Sequence, residues 1–397
     1  MGNQVIGIIG DGQLAQMLIY AGSKYDVKFN VLPVNGNRED SICANIATIV
    51  DSYEELFESS DVVTYEYEHI YIPYLLDKKY NTIPSLNCLE IIQDKSKQKA
   101  HYELNGFKVP ESIMIGTGEE LLNALKKIYN RLDDKISNYV IKSALSGYNG
   151  SGVNVLKDEY IWTDIVNLVN LETKYILEEK IVIKDEVGVM VVINGSEYHV
   201  YEPVYMRLEC EQLVYLKTPL HKEIIHLNDK IKDMALKIAQ SYKTNGLFGI
   251  ELFIDKKDEI HINEVSPRPH NSGHHTMDNC KMSQYDALIR VLTCSKLVKS
   301  EINIEKPCCM MNLFGNDFKG HYNLDLNIIK EFRTSGFNVH LYNKKINTPY
   351  RKMGHITKLL TPEESNGKYI YYDSNIIKQL YLPVYVNIVM GSISDGL

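Results

Sequence analysis

Residues 249–275 read GIELFIDKKDEIHINEVSPRPHNSGHH. The run Gly249-Ile250-Glu251-Leu252-Phe253-Ile254 meets a polar turn, Asp255-Lys256-Lys257-Asp258-Glu259. A second run, Ile260-His261-Ile262-Asn263-Glu264-Val265, then returns. Two such runs around a short polar loop predict a β-hairpin. With Asp255 facing Ile260 across a four-residue loop, the register sets Glu251 opposite Glu264. Carboxylates directly opposite on one face repel and destabilise a sheet. A cation between them removes that penalty. Carboxylates that leave room for substrate phosphates and water are the usual protein ligands of Mg²⁺. The plain alternative is a solvated hairpin with two outward acids, since exposed Glu is common.

The next nine residues, Pro267-Arg268-Pro269-His270-Asn271-Ser272-Gly273-His274-His275, weigh against that alternative. Arg brings a fixed cation with forked donors. His gives or takes a proton near neutral pH. The prolines stiffen the loop and present these groups at low entropy cost. The three histidines lack the paired spacing of a zinc helix, which disfavours a zinc site.

Glu251, Asn263-Glu264 and the Pro-Arg-Pro-His-Asn-Ser-Gly-His loop resemble the metal strands and signature loop of the N5-carboxyaminoimidazole ribonucleotide synthases, ATP-grasp enzymes of purine biosynthesis. The loop is long and unusual, so the resemblance is specific.

The totals agree with a soluble enzyme. A chain of 397 residues suffices for two to four lobes, and 44% apolar residues is ordinary for a globular protein. A net charge of −8 without a basic block excludes a nucleic-acid partner. No apolar run reaches the roughly 18 residues that span a bilayer, so no membrane role is expected. The N-terminus opens on a strand pattern without a signal peptide. Seven scattered cysteines, none in Cys-x-x-Cys, read as reduced thiols of a cytoplasmic protein.

At the N-terminus, Gln4 to Ile9 is a buried-strand run, Gly10-Asp11-Gly12-Gln13-Leu14-Ala15 opens a helix over Gln16 to Tyr25, and Val27 to Leu32 is a second strand. Glycines at such a turn let backbone N–H groups approach an anion. No acid follows the second strand, which disfavours a dinucleotide. The family turn is richer in glycine and helps hold the ribonucleotide. Gln13 and Leu14 inherit that role, and Asp11 is an unhelpful neighbour for a phosphate. Residues 61–69 read as a strand ending in acids. By resemblance Glu68 bonds the substrate ribose or amine. A single helix is expected from Ile91 to Tyr102, on which Lys95 supplies a cation to ATP.

Tyr139-Val140-Ile141-Lys142-Ser143 is a strand with one Lys. It precedes Ser146-Gly147-Tyr148-Asn149-Gly150-Ser151-Gly152, whose glycines permit a phosphate-facing loop. Lys142, Gly147, Gly150 and Gly152 are expected at ATP, with Tyr148 and Asn149 at the reacting groups. The family has Asp where Asn149 stands and a basic residue where Ser151 stands. Lys174 to Ile181 reads as an edge strand. Glu178, Glu179, Lys180 and Ile181 match the stretch that reads adenine and ribose, and Glu186 matches the family's next acid. Over residues 197–208 the family's acid and imidazole are missing, with Tyr205 and Leu208 standing there. Residues 228–242 read as a core helix. Lys344, Arg351 and Lys352, in stretches like the family's Leu-Tyr-Gly-Lys and Arg-Lys-Met-Gly-His, are expected on the ribonucleotide phosphate. Residues 384–397 resemble the start of the mutase that follows in the pathway, as in fungal fusions.

The resemblance implies an α/β chain with α+β lobes, an ATP-grasp fold. A Rossmann-like lobe would span 1–105, a lid 106–185, a central metal lobe 186–300, a β-rich lobe 301–375, and a linker with a truncated mutase start 376–397. Its implied activity is ATP-dependent carboxylation of 5-aminoimidazole ribonucleotide by bicarbonate through carboxyphosphate. Glu251 and Glu264 would hold Mg²⁺ (or Mn²⁺), with Asn263 and Glu264 at ATP. Arg268 and His270 would be catalytic, and Asn271 would bind substrate. A homodimer and a separate mutase partner are further implications. Two other readings stand beside this one. One is an ATP-grasp ligase or transformylase for a related ribonucleotide. The other is a catalytically weakened nucleotide-binding homologue.

Overall fold

The structure, a computed structural model, describes residues 4–34, 38–129, 136–144, 153–157, 160, 162–170, 173–209, 212–366 and 381–383. The glycine-rich segment with Gly147, Tyr148, Asn149, Gly150, Ser151 and Gly152, and the mutase-like tail, lie outside them.

The N-terminal lobe is a four-stranded parallel sheet in the order Thr48–Ile49, Val27–Leu32, Gln4–Ile9, Val62–Tyr65. Parallel strands are covered on both faces, so they read as continuous apolar runs. The buried Ile6, Ile8 and Ile9 fit that rule. The connecting helix is Gln13–Gly22, three residues earlier than expected. The expected single helix over 91–102 is two, Leu86–Gln93 and Lys95–Leu104. Asp94 separates them: its carboxylate accepts from the N–H of Ser96 at 2.8 Å and caps the second helix.

The lid is a four-stranded antiparallel sheet ordered Ser112–Ile115, Tyr175–Glu179, Tyr139–Ser143, Val153–Val155. The stretch expected as an edge strand therefore lies inside the sheet. Leu121, Leu125 and Ile128, one helical face of Gly118–Tyr129, pack on it.

A nine-stranded sheet forms the body. Its path runs Ile260–Ser266, Gly246–Asp255, Ile183–Asn194, Val204–Glu209, Gln212–Thr218, Cys308–Phe314, Lys352–Leu359, Phe337–Leu341. Glu197–Val200 pairs back on the long strand Ile183–Asn194, so residues 197–208 run over two strands. The helix Asn228–Ser241 lays Ile231, Ala235, Ile238 and Ala239 into the main core. Cys308 and Cys309 are buried free thiols. No helix among the described residues is long and apolar enough to cross a membrane.

Candidate active site

The hairpin sets Glu251 opposite Glu264, but not by the simple register. Near the turn Ile254 pairs with Ile260, and Asp255 N–H donates to Glu259 O at 3.0 Å. The pairing shifts by one residue between Glu251 and Leu252, leaving Asn263 without an opposite number. A bulge of this kind re-aims side chains next to active sites. Asn263 Nδ2 donates to Glu251 Oε2 at 3.3 Å. Burial, then Glu264 and Glu186, push the Glu251 carboxyl up to about 8. Burial and Glu68 raise Glu264, and burial raises Glu186 to about 7. Three acids that resist ionisation in one place, Glu251 and Glu186 half-buried and Glu264 open to solvent, fit a divalent cation, since ionised carboxylates with oxygen donors are what Mg²⁺ and Mn²⁺ take.

The acids line a cavity of about 980 Å³ between the lobes. Every site residue expected from the sequence and lying among the described residues faces it. Gln13, Leu14, Glu68, Lys344, Arg351 and Lys352 line one side. Lys95, Lys142, Glu178, Glu179, Lys180 and Ile181 line another, and Glu186, Glu251, Asn263, Glu264, Arg268, His270 and Asn271 lie between.

On the lid side, the Glu178 carboxylate bridges two lysines, Lys142 at 2.6 Å and Lys99 at 2.9 Å. Burial pushes Glu178 up, but the two ammonium groups outweigh it and its pKa falls. Burial lowers Lys99 despite its acid. Lys99 also donates to Pro110 O, tying the helix Lys95–Leu104 to the start of the lid. Lys99 was not anticipated from the sequence. Its signal is the spacing of four from Lys95, which sets both on one helix face.

On the opposite side the glycine turn binds an anion, but one from the chain itself. Gly12 N–H donates to Glu66 Oε1 at 2.7 Å. A Cβ at Gly10 or Gly12 would come within 2.7 or 2.8 Å of that carboxylate, and Gly10 has φ of +109°. The expectation that this turn meets a substrate anion is corrected for the Gly12 amide. Burial raises the Glu66 pKa, with the Gly12 amide opposing. Burial, then repulsion from Arg351, brings Lys344 down to about 7. Its Nζ donates to Lys352 O at 2.7 Å.

The signature loop closes the site. Arg268 Nε lies 2.7 Å from Glu68 Oε1, joining the loop to the N-terminal lobe. Asn271 and Asn312 exchange amide bonds at 3.0 and 2.6 Å, joining it to the C-terminal strands. His270 Nδ1 lies 2.9 Å from Ser272 Oγ and accepts from Ser272 N–H at 3.4 Å, and Nε2 lies 3.5 Å from Glu251 Oε1. Burial, then Arg268 and Lys352, bring His270 down to about 3, so the ring is neutral at physiological pH. With Nδ1 accepting, its proton sits on Nε2, facing the acids. Where the family's acid and imidazole are missing, Tyr205 is buried edge-on to His221, with ring centroids 5.1 Å apart, and Leu208 lines the cavity.

The arrangement sets lysines on one side, a group of acids in the middle, and an Arg–His pair beside a second basic corner. Known proteins carry the same plan. Residues 3–93 match the ribonucleotide synthetase preATP-grasp domain, 100–285 the ATP-grasp domain, and 308–366 the phosphoribosylaminoimidazole carboxylase C-terminal domain. An N5-carboxyaminoimidazole ribonucleotide synthase of Staphylococcus epidermidis is 32% identical over 376 residues, covering 92% of this chain and 95% of that protein. The crystal structure of N5-carboxyaminoimidazole synthetase from Staphylococcus aureus with ADP superposes with a TM-score of 0.78 at 28% identity, covering 90% of this chain and 93% of that one. The Aspergillus clavatus enzyme with ADP and 5-aminoimidazole ribonucleotide gives 0.79 at 26% identity, covering 92% and 96%.

Proposed function

The chain belongs to the N5-carboxyaminoimidazole ribonucleotide synthase family, and on that premise we propose that it is an ATP-dependent ligase that carboxylates 5-aminoimidazole ribonucleotide with bicarbonate. The observation that carries this reading is the single cavity in which Lys95, Lys142 and Glu178 face the Arg268–His270 loop across Glu251 and Glu264. A bicarbonate oxygen attacks the γ-phosphorus of ATP, and the bond to ADP breaks, giving carboxyphosphate. The substrate amine then attacks the carboxyl carbon, phosphate leaves, and the amine loses a proton.

Lys95 and Lys142 hold the ATP phosphates as point charges. The backbone of Glu179, Lys180 and Ile181 reads the base. Glu251 and Glu264, with Asn263, would hold Mg²⁺, or Mn²⁺ in its place. A bound Mg²⁺ supplies charge neutralisation as the γ-phosphoryl departs. Arg268 orients the carboxyl donor. His270, neutral and with Nδ1 satisfied by Ser272, presents Nε2–H to a developing negative oxygen. Glu68 receives the ribonucleotide amine, with Asn271, Gln13 and Leu14 beside it. Lys344 and Arg351 meet its phosphate, which restores the charge that burial disfavours on Lys344. Lys352 adds positive charge between that corner and the acids, to which it is electrostatically coupled. Closure excludes water, because carboxyphosphate hydrolyses readily. Tyr148 and Asn149, with Gly147, Gly150 and Gly152, belong to the same reading as the loop over ATP, and a mutase on a separate chain would consume the product.

ADP release with Mg²⁺, ATP and bicarbonate tests the reading. Addition of 5-aminoimidazole ribonucleotide should raise it, and Glu264→Ala should abolish the stimulated part. ATP binding without stimulation would favour the weakened homologue, for which the Tyr205 and Leu208 wall is the motive.

A further inference from the structure

Gln284 lies outside the cavity lining, is completely buried, and is the first residue of the helix Gln284–Leu292. Its side chain reaches back to the signature loop. Oε1 accepts from His270 N–H at 2.9 Å, and Nε2 donates to His270 O at 2.9 Å. The second Nε2 hydrogen goes to His274 Nδ1 at 2.9 Å. One amide therefore pairs both backbone groups of His270, as a neighbouring strand would, in a loop that has none. The orientation is unambiguous, because a flipped amide would set NH₂ against the His270 N–H.

The geometry points to Gln284 as the positioning residue for His270, fixing where the imidazole stands over Glu251 and thereby the rate of carboxyl transfer. This rests on the proposed function and deepens it. The His270 ring has little other freedom. Its Cβ would sit 2.4 Å from any Cβ at Gly249, and Ser272, which contacts Nδ1, sits 2.8 Å from where a Gly188 Cβ would be. Gly188 and Gly249 thus let the His270–Ser272 unit lie flat on two paired strands, while Gln284 sets its position along them.

Gln284 is in turn anchored to the N-terminal lobe. Ser283 and Asp286 form a capping box at the helix start. Asp286 Oδ1 is 3.3 Å from Lys24 Nζ and accepts from Tyr25 OH at 3.2 Å. The N-terminal lobe therefore bears on His270 through one turn of helix.

The full chain and two variants test this. In Gln284→Leu, kcat for ribonucleotide-stimulated ADP release should fall about tenfold to a hundredfold, the scale of a small misplacement. The Kd for Mg-ADP should stay within twofold of the parent. In Gln284→Glu the introduced carboxylate still accepts from His270 N–H but repels His270 O. Its protonation restores one donor, and burial against a carbonyl raises that pKa. The variant-to-parent kcat ratio should therefore rise as pH falls from about 8 to about 6. A residue that only packs would lower Tm and leave that ratio flat. Unchanged kcat in Gln284→Leu, or a flat ratio in Gln284→Glu, overturns the inference.

If the parent itself shows no ribonucleotide-stimulated release, the functional reading fails separately. Positioning is then read from the His270 Cε1–H NMR signal, assigned through His270→Gln. That signal must shift in whichever Gln284 variant folds, and a stationary signal overturns the inference.

Discussion

Glu251 and Glu264 stand opposite each other in the cavity, and Glu264 makes Glu251 harder to ionise. Removing one should therefore separate function from stability. Glu251→Gln should cut stimulated turnover by roughly two to three orders of magnitude, the range for losing a key electrostatic group. The same change should raise the Tm of the metal-free chain. The pH dependence follows from the sign of the shift. Glu251 has its pKa raised to about 8, above its unfolded value, so its stabilising contribution is complete below about 4.5 and is lost as pH rises through about 8. Calorimetry of the metal-free parent should show this alkaline loss, and Glu251→Gln should flatten it. An equal slope in both proteins would remove Glu251 as its source.

At the scale of elements, two devices assemble the site, and each was legible to a different depth. The alternation of the hairpin sequence was enough to pair Glu251 with Glu264. It did not show the bulge at Asn263, because a bulge inserts one residue without changing residue type. Deleting Asn263 would close the bulge into a regular ladder that keeps Glu264 opposite Glu251, but it would remove the bulge's re-aiming of these side chains and the amide that donates to Glu251 Oε2. Mg-dependent turnover should vanish, and a variant that keeps it would show that the bulge is dispensable.

The second device is the Lys99–Glu178–Lys142 clamp between lid and N-terminal helix. Lys142 announced itself at a strand end before glycines. Lys99 was not singled out in the sequence, and only the fold buries it. Glu178 read as an edge-strand acid because nothing in its own sequence shows that Ser112–Ile115 pairs outside it. Lys99→Met should cost roughly 3 kcal/mol, as breaking a buried pair leaves a charge short of partners. Urea unfolding should show that loss, and a raised KM for ATP should accompany it if Lys142 moves. The glycine turn gives a similar lesson: its sequence shows an anion site but not that Glu66, fifty-odd residues away, fills it.

At the scale of the whole molecule, the signature loop packs where three parts meet, and burial there is paid for in histidines. His270, His274, His275 and His355 are all driven below the usual range, first by burial. A histidine with a depressed folded pKa contributes stability that is complete above its unfolded pKa near 6.5. That contribution is lost as pH falls toward the folded value, because the unfolded chain takes up the proton. The metal-free fold is thus squeezed from the acid side by these rings and from the alkaline side by Glu251. His275 isolates the acid limb. It is buried, at about 4 through burial with Asp278 opposing, and neither ring nitrogen has a hydrogen-bond partner among the described residues. It also lies away from the cavity lining. Replacing an unsatisfied buried polar group with an apolar one of similar size is often neutral or stabilising. His275→Leu should therefore raise Tm at pH 5 more than at pH 7.5, with a differential gain of about 2 kcal/mol, one proton's linkage over some 1.5 pH units. Denaturant unfolding at the two pH values measures it. A gain independent of pH would mean that His275 is already protonated in the fold, and the acid limb would then have to come from His270, His274 and His355 alone.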